Sequence, residues 1–383
     1  MQTFLLLFGN TSQLSELEFQ AQYPHLPLRR LAEQLFSFQS ETDLSAEMMQ
    51  ALGGVVKIFV TRQELDNTVS DEAVIEAITA LLLEHAEEPY FTISQIGKGQ
   101  RSINNAAVKA LIKENGRQAR YFASELHDSA LLSHQSKATE ILLFNDQERG
   151  VVSINQLTAV QDIDDWTKRD REKPYADRKK GMLPPKVARM MVNSAAGIWK
   201  QAHPDQSPLL YDPFCGTGTV LAEAAVRGLA VCGSDIDEKA VFGARENLTW
   251  LASEYGLQLE SSVFYMDAAH VEPAKFPRQV DVLVTEPFLG KQTPRDVELA
   301  NVFRGLEKMY LGSFKAWSQI LADGAIVAIV FPQVTTDRHV YTLDSLIDKL
   351  RAKGYNSLVN PILYAREGAR VARNIYIFRF QRG

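Results

Sequence analysis

Hydrophobic and polar positions along the chain fall into stretches of two periods. Residues 3–8 predict a strand, with an unbroken apolar run over 4–8 that marks it as buried, and Gly9-Asn10-Thr11 reads as a turn. Thr11 or Ser12 is placed to cap a helix over residues 14–22. After Gly53-Gly54, residues 55–60 are β-branched and alternating, which predicts another strand. Residues 1–62 thus read as a small α+β unit. A second unit, 63–160, opens with an amphipathic helix over 71–85, whose Val74, Ile75, Ile78, Leu81 and Leu82 share one face. Residues 90–96 predict a strand and 102–115 a helix stopped at Gly116. Residues 121–124, 139–145 and 151–159 predict further strands of a sheet with helices on one face. Residues 161–185 are charged, punctuated by proline and without period, and read as a linker. Pro184-Pro185 suits the first turn of a helix over 186–199.

From residue 207 the two periods alternate. Strands are predicted at 209–211, 230–233, 262–265, 280–284 and 325–331, and helices at 220–226, 303–322 and 343–353. A closing hairpin joins 361–364 to 374–380 through Glu367-Gly368. This alternation predicts an α/β fold with a parallel, doubly wound sheet.

The bulk numbers narrow the class. A length of 383 residues implies two or three domains, and 45% hydrophobic with 23% charged residues is ordinary for a globular protein. No apolar run is long enough to span a bilayer, so no membrane role is expected. The opening MQTFLLLFGN lacks a basic flank and reads as a strand rather than a signal peptide. Cys215 and Cys232 read as small packing residues, not a disulfide or a metal site, so a cytoplasmic location is expected. The net charge of −6 argues mildly against nucleic acid, but the charge is unevenly placed. Residues 166–191 hold nine basic residues against three acidic ones, and 98–120 hold six against one. Arg366, Arg370, Arg373, Arg379 and Arg382 crowd the C-terminal end. Three basic stretches in an otherwise acidic chain favour a track for phosphates.

The chemistry gathers at four predicted strand ends. The first runs into Asp212-Pro213-Phe214-Cys215-Gly216-Thr217-Gly218-Thr219 and then a helix. A glycine-rich strand-to-helix turn lets a ligand approach the backbone, because glycine has no Cβ. The second ends in Ser234-Asp235-Ile236-Asp237, where an acid can bind both hydroxyls of a ribose. The third ends in Met266-Asp267-Ala268 and the fourth in Thr285-Glu286-Pro287-Phe288. The third glycine of a dehydrogenase fingerprint is absent, Leu221 standing after Gly216 and Gly218, and no Walker A lysine follows.

These strand ends resemble the motifs of S-adenosylmethionine-dependent methyltransferases that act on exocyclic amines of bases. The whole chain resembles the THUMP-domain RNA methyltransferases, in the branch of the archaeal and eukaryotic tRNA guanosine-10 N2-methyltransferases. Four stretches carry the likeness: FLLLFGNTSQLSELE near the start, DREKPYADRKKGMLPPKVARMMVN at 170–193, DPFCGTGTVLAEAA with GSDID, and REGARVARNIYIF near the end. The resemblance implies an N-terminal ferredoxin-like domain at 1–62, a THUMP RNA-binding domain at 63–160, and a Rossmann-like methyltransferase domain at 186–383. It implies tRNA as partner, S-adenosylmethionine as cofactor, no metal, and a monomer, with an activating small subunit left open. Asp212, Phe214 and the Gly216–Gly218 backbone would face the methionine and ribose. Asp235 would hold the ribose, Ile236 would pack on adenine, and Asp267 and Ala268 would meet the adenine edge. Lys98, Arg101, Lys109, Lys113 and Arg117 would grip RNA.

At the fourth strand end the family pattern is [DNS]-P-P-[YF]: a side chain and a backbone carbonyl accept the amine's N–H bonds and localise its lone pair, while the aromatic stacks on the extruded base. This chain has Thr285 for the usual acid and Glu286 for the first proline, with Pro287 and Phe288 kept. Thr285 offers an uncharged acceptor and Glu286 restores a carboxylate one position on. The expected activity is methylation of guanine N2 in tRNA. Adenine N6 methylation and a non-catalytic RNA-binding role remain the alternatives.

Overall fold

A computed structural model describes residues 1–122, 138–176, 183–291, 293–366 and 368–383. The chain forms two compact units, residues 1–15 with 24–165 and residues 16–23 with 166–383.

The strands of the first unit are β1 (Gln2–Phe8), β2 (Arg29–Arg30), β3 (Leu35–Ser40), β4 (Val55–Asp66), β5 (Tyr90–Gly97), β6 (Arg120–Tyr121), β7 (Thr139–Asp146) and β8 (Val151–Val160). They make one sheet in the order β2-β3-β1-β4-β8-β7-β5-β6. The border expected at residue 62 falls inside β4, which pairs with β8 from Lys57 to Asp66. Apart from Leu65, residues 61–66 are polar and carry no apolar pattern, so the strand's full length is set chiefly by the β8 ladder. The helices α1 (Ser12–Gln22), α2 (Ser45–Ala51), α3 (Asp71–His85) and α4 (Asn105–Glu114) complete the N-terminal part. Asn104 caps α4 by accepting the Ala107 N–H at 3.0 Å. Val74, Ile78, Val108 and Ile112 bury a core against Phe91, Ile141 and Ile154. The predicted strand 121–124 is seen only as Arg120–Tyr121, and residues 123–124 lie outside the described residues.

The stretch expected to be a linker begins with α5 (Ile163–Thr167) and a π-helical turn, Lys168–Glu172. Arg178, Lys179 and Lys180 lie outside the described residues, as does Glu367 of the last hairpin.

In the second unit follow α6 (Pro185–Ala202), β9 (Leu209–Asp212), α7 (Thr219–Val226), β10 (Ala230–Asp235), α8 (Glu238–Tyr255), β11 (Ser261–Tyr265) and β12 (Val280–Thr285). The remainder is α9 (Asp296–Trp317), β13 (Leu321–Thr335), β14 (Val340–Tyr341), α10 (Asp344–Arg351), β15 (Tyr355–Ser357), β16 (Ile362–Tyr364) and β17 (Ala372–Phe380). The main sheet runs β11-β10-β9-β12-β13-β17-β15. Its first five strands are parallel, and β17 is antiparallel to both neighbours. Strand order therefore reverses between β9 and β12, the switch point outside which doubly wound sheets bind ligands. The helix expected at 303–322 ends five residues early, at Trp317, because residues 321–335 join the sheet as β13. Around its end Phe314, Trp317, Phe331, Tyr355 and Phe378 pack a buried aromatic cluster.

Candidate active site

The carboxyl ends of β9, β10, β11 and β12 come together at the switch point. After Asp212 the chain turns through Gly216 and Gly218, whose φ values of 51° and 88° lie in the left-handed region that suits glycine. A Cβ at Gly216 would meet no atom within 4 Å, so the turn faces open space. Gly218 caps α7 without a side chain.

Asp235, at the end of β10, receives that turn. Its Oδ2 accepts the Gly216 N–H and its Oδ1 the Asp237 N–H, both at 2.9 Å. Each carboxylate oxygen retains a lone pair for a further donor. Next to it Ile236 is 64% exposed. Asp237 caps α8 by accepting the Lys239 N–H. At the end of β11, Asp267 accepts the Ala269 N–H and pairs with His270 Nδ1 at 2.7 Å. The Ala269 N–H, with His270 adding to it, holds this carboxyl below the usual range.

Asp212 does not open onto the cleft as expected. It is buried, and its Oδ1 accepts from the Phe214 N–H at 3.1 Å and from Thr285 Oγ1 at 2.6 Å. Burial pushes its carboxyl up to about 7 despite those two bonds. Thr285 is fully buried, its hydroxyl given to Asp212, so it does not reach the cleft. Glu286 has a mostly buried side chain and pairs with Arg373 Nε of β17 through Oε1. Burial raises its carboxyl and the Arg373 guanidinium opposes the rise. Phe288 is 61% exposed, while its carbonyl accepts the hydroxyl of the buried Tyr310 at 2.7 Å. Its backbone is pinned and its ring is left to solvent.

A second group of residues lies beside the glycine turn; its basic members were read in the sequence as part of a phosphate track, while Asn247 and Glu223 went unread. Asn247 on α8 accepts the Tyr175 N–H at 2.9 Å and donates to the carbonyls of Tyr175 and Thr217, both at 2.8 Å. Lys173 Nζ donates to Thr219 Oγ1 at 3.2 Å, at the first residue of α7. Glu223 on α7 is buried between Arg169 Nε at 2.9 Å and an Arg189 nitrogen at 2.7 Å. The second contact is short but poorly aligned, an ion contact rather than a hydrogen bond. Trp166 lies over both guanidiniums, 4.3 and 5.4 Å from its ring centre. These bonds fasten residues 166–175 along the start of α7, beside the glycine turn. No sequence pattern marked Asn247, which sits among polar helix residues. The basic excess of 166–191 is thus partly internal: Arg169 and Arg189 face Glu223, and Lys168 pairs with Glu254.

Of the residues expected to grip RNA, Lys98, Lys109, Lys113 and Arg117 are exposed. Arg101 is not available in the same way. Its guanidinium donates to the carbonyls of Val69 and Asn67 and to Asp71, at 2.7–3.0 Å, and so fastens the start of α3. Among the described residues no cluster of His, Cys, Asp or Glu could hold a metal ion. No described helix is long and apolar enough to cross a membrane.

Known proteins share this architecture. Residues 175–332 match the RMKL-like methyltransferase domain family, UPF0020. The second unit has a Rossmann-like methyltransferase fold. A tRNA (guanine(10)-N2)-dimethyltransferase of Methanothermobacter thermautotrophicus is 32% identical over 169 residues, 44% of this chain and 42% of that protein. The chain thus spans about two fifths of the length of that relative. Across the whole chain the fold is similar to TrmN from Thermus thermophilus, with a TM-score of 0.58 and 16% identity, covering 99% of this chain and 100% of that one. SMU.472, crystallised in complex with SAH, gives a TM-score of 0.53 at 14% identity and covers 100% of both chains.

Proposed function

We propose that this protein is an S-adenosylmethionine-dependent methyltransferase that modifies the exocyclic N2 of a guanosine in tRNA. The observation that carries the reading is the cradle at the switch point: Asp235 holding the Gly216 turn below open space, with the ring of Phe288 exposed at the neighbouring strand end. The partial match to a tRNA (guanine(10)-N2)-dimethyltransferase supports the substrate, and the SAH complex of SMU.472 supports the cofactor.

The donor and acceptor set suits that cofactor. Asp235 would take the ribose hydroxyls, Ile236 one adenine face, Asp267 and Ala268 the adenine edge, and the Gly216–Gly218 backbone with Phe214 the methionine part. Asp212 would act from behind, keeping the turn and Thr285 in register. The cofactor supplies an electrophilic methyl group; the protein excludes water, stacks the base on Phe288 and accepts the amine's N–H bonds. The eight-stranded N-terminal sheet would combine the ferredoxin-like and THUMP elements, with Lys98, Lys109, Lys113 and Arg117 meeting RNA phosphates.

Mass spectrometry of nucleosides from tRNA incubated with the protein and methyl-labelled cofactor tests the proposal. Labelled N2-methylguanosine is expected. Label in N6-methyladenosine would move the target to adenine. Cofactor binding without any label would leave an RNA-binding protein with a retained fold.

A further inference from the structure

The fourth strand end carries Thr285 where the motif it resembles carries an acid, and Thr285 offers no carboxylate to the cleft: it is buried and its hydroxyl donates to Asp212. Glu286 is the one carboxylate in residues 284–292. A glutamate has one more rotatable bond than an aspartate and needs an external hold to aim it. That hold is present. Arg373 Nε binds Oε1 of Glu286, with both side chains close to nine-tenths buried. Arg373 is itself placed by strand pairing, opposite Pro332 of β13 and Tyr364 of β16. The other oxygen, Oε2, has no hydrogen-bond partner among the described residues, yet it is not sealed from solvent.

We propose that Arg373 is a positioning residue that fixes Glu286 as the acceptor of the target amine, so that an arginine of the last hairpin and a shifted carboxylate together replace the missing acid. This rests on the methyltransferase reading above. Arg373 occupies Oε1 and leaves Oε2 to accept one N–H of the base. As one N–C bond forms and one S–C bond breaks, the nitrogen's proton leaves to Oε2, and the carboxyl returns it to solvent.

The arrangement also sets the charge. Four groups face Glu286: Arg373 of β17 and Arg366 before it, Asp212 of β9, and Tyr310 of α9. Burial favours the protonated acid, which cannot take the amine's proton, and the arginines oppose this. Without Arg373 the carboxyl should titrate at higher pH, and the rising limb of the rate should move with it.

The test compares wild type, Arg373→Ala, Arg373→Lys, Glu286→Gln and the double variant Arg373→Ala/Glu286→Gln. Single-turnover tRNA methylation is read across pH, and cofactor affinity by calorimetry. Arg373→Ala should slow methylation about 100-fold near neutral pH, the usual scale for one positioned group at a reacting centre, and shift the limb to higher pH. Arg373→Lys should recover part of the rate and most of the limb's position. The double variant should be no slower than Glu286→Gln, and cofactor affinity should stay within about threefold throughout. A third readout needs no activity: the Glu286 carboxyl carbon, labelled and recognised as the signal missing from Glu286→Gln, should titrate at higher pH in Arg373→Ala. An unmoved titration, an unmoved rate limb, or strictly multiplicative losses in the double variant would each overturn the proposal. If no tRNA is methylated but the carboxyl shift occurs, the substrate assignment falls and the pairing stands.

Discussion

Asp235 offers the sharpest test of the cofactor cradle, because its carboxylate has two duties that can be separated. Each oxygen accepts one backbone N–H, from Gly216 and from Asp237, at 2.9 Å. In the proposed cradle each would also accept from a ribose hydroxyl. A hydrogen bond to a charged group contributes about 1.5–3 kcal/mol, so losing the ribose contacts should weaken cofactor binding about 10–150-fold. Asp235→Ala should reach the upper part of that range, since it also releases the Gly216 turn. Asp235→Asn keeps one oxygen but turns an amide N–H toward one of two backbone donors, so it should fall between wild type and alanine. Calorimetric titration gives the affinities, with circular dichroism and thermal melts confirming the fold. Repeating the titration with a 2′-deoxyribose analogue isolates the ribose term. Wild type should bind the analogue more weakly, while Asp235→Ala should barely distinguish the two. Equal affinity of folded Asp235→Ala and wild type would refute the assignment of this strand end. An analogue penalty undiminished in Asp235→Ala would refute the ribose contact.

Two further outcomes follow from other parts of the molecule. RNA affinity should fall steeply with salt as phosphate contacts displace counterions, and replacing Lys109, Lys113 and Arg117 together by alanine should flatten that slope, whereas Arg101→Ala should chiefly lower the melting temperature because its bonds are internal; a slope unchanged by the triple variant in filter binding would exclude these residues from the track. Glu223→Gln should destabilise the protein by about 3–5 kcal/mol in denaturant unfolding, the usual cost of leaving a buried charge without its partner, since Arg169 and Arg189 both face this carboxylate; a loss under about 1 kcal/mol would show that the guanidiniums are compensated elsewhere.

The alternation of apolar strands and helices from 207 onward was legible because each parallel strand is buried on both sides and each helix on one. The ends of elements were not. Residues 61–66 have no apolar period, and β4 continues through them because β8 supplies pairing partners, from Asn155 opposite Thr61 to Val151 opposite Asp66. The helix expected at 303–322 instead spans Asp296–Trp317. Asp296 and Glu298 in its first turn suit the positive end of the helix, but they carry no hydrophobic signal. The stretch 161–172 had no readable period because its order comes from a π-turn and from ion pairs with distant residues, Glu223 and Glu254.

The site divides along the same line. Glycines at a strand end and an acid at the tip of the next strand are local facts, so Gly216, Gly218 and Asp235 could be chosen from spacing alone, and the structure brings them together. Charge and availability are not local. Arg101 carries the same charge as Lys109, yet Asp71 and two carbonyls, about 30 residues earlier, occupy it. Thr285 and Glu286 looked like two candidates for one acceptor role. Asp212, at the end of the neighbouring strand, takes the threonine's hydroxyl, and Arg373, 87 residues away, takes one oxygen of the glutamate. Both partners arrive through strand order: β9 lies beside β12, and β17 lies beyond β13. A change at the first position of the motif can therefore be offset only by residues that the sheet carries to the same end, and Arg373 on the antiparallel strand meets that condition.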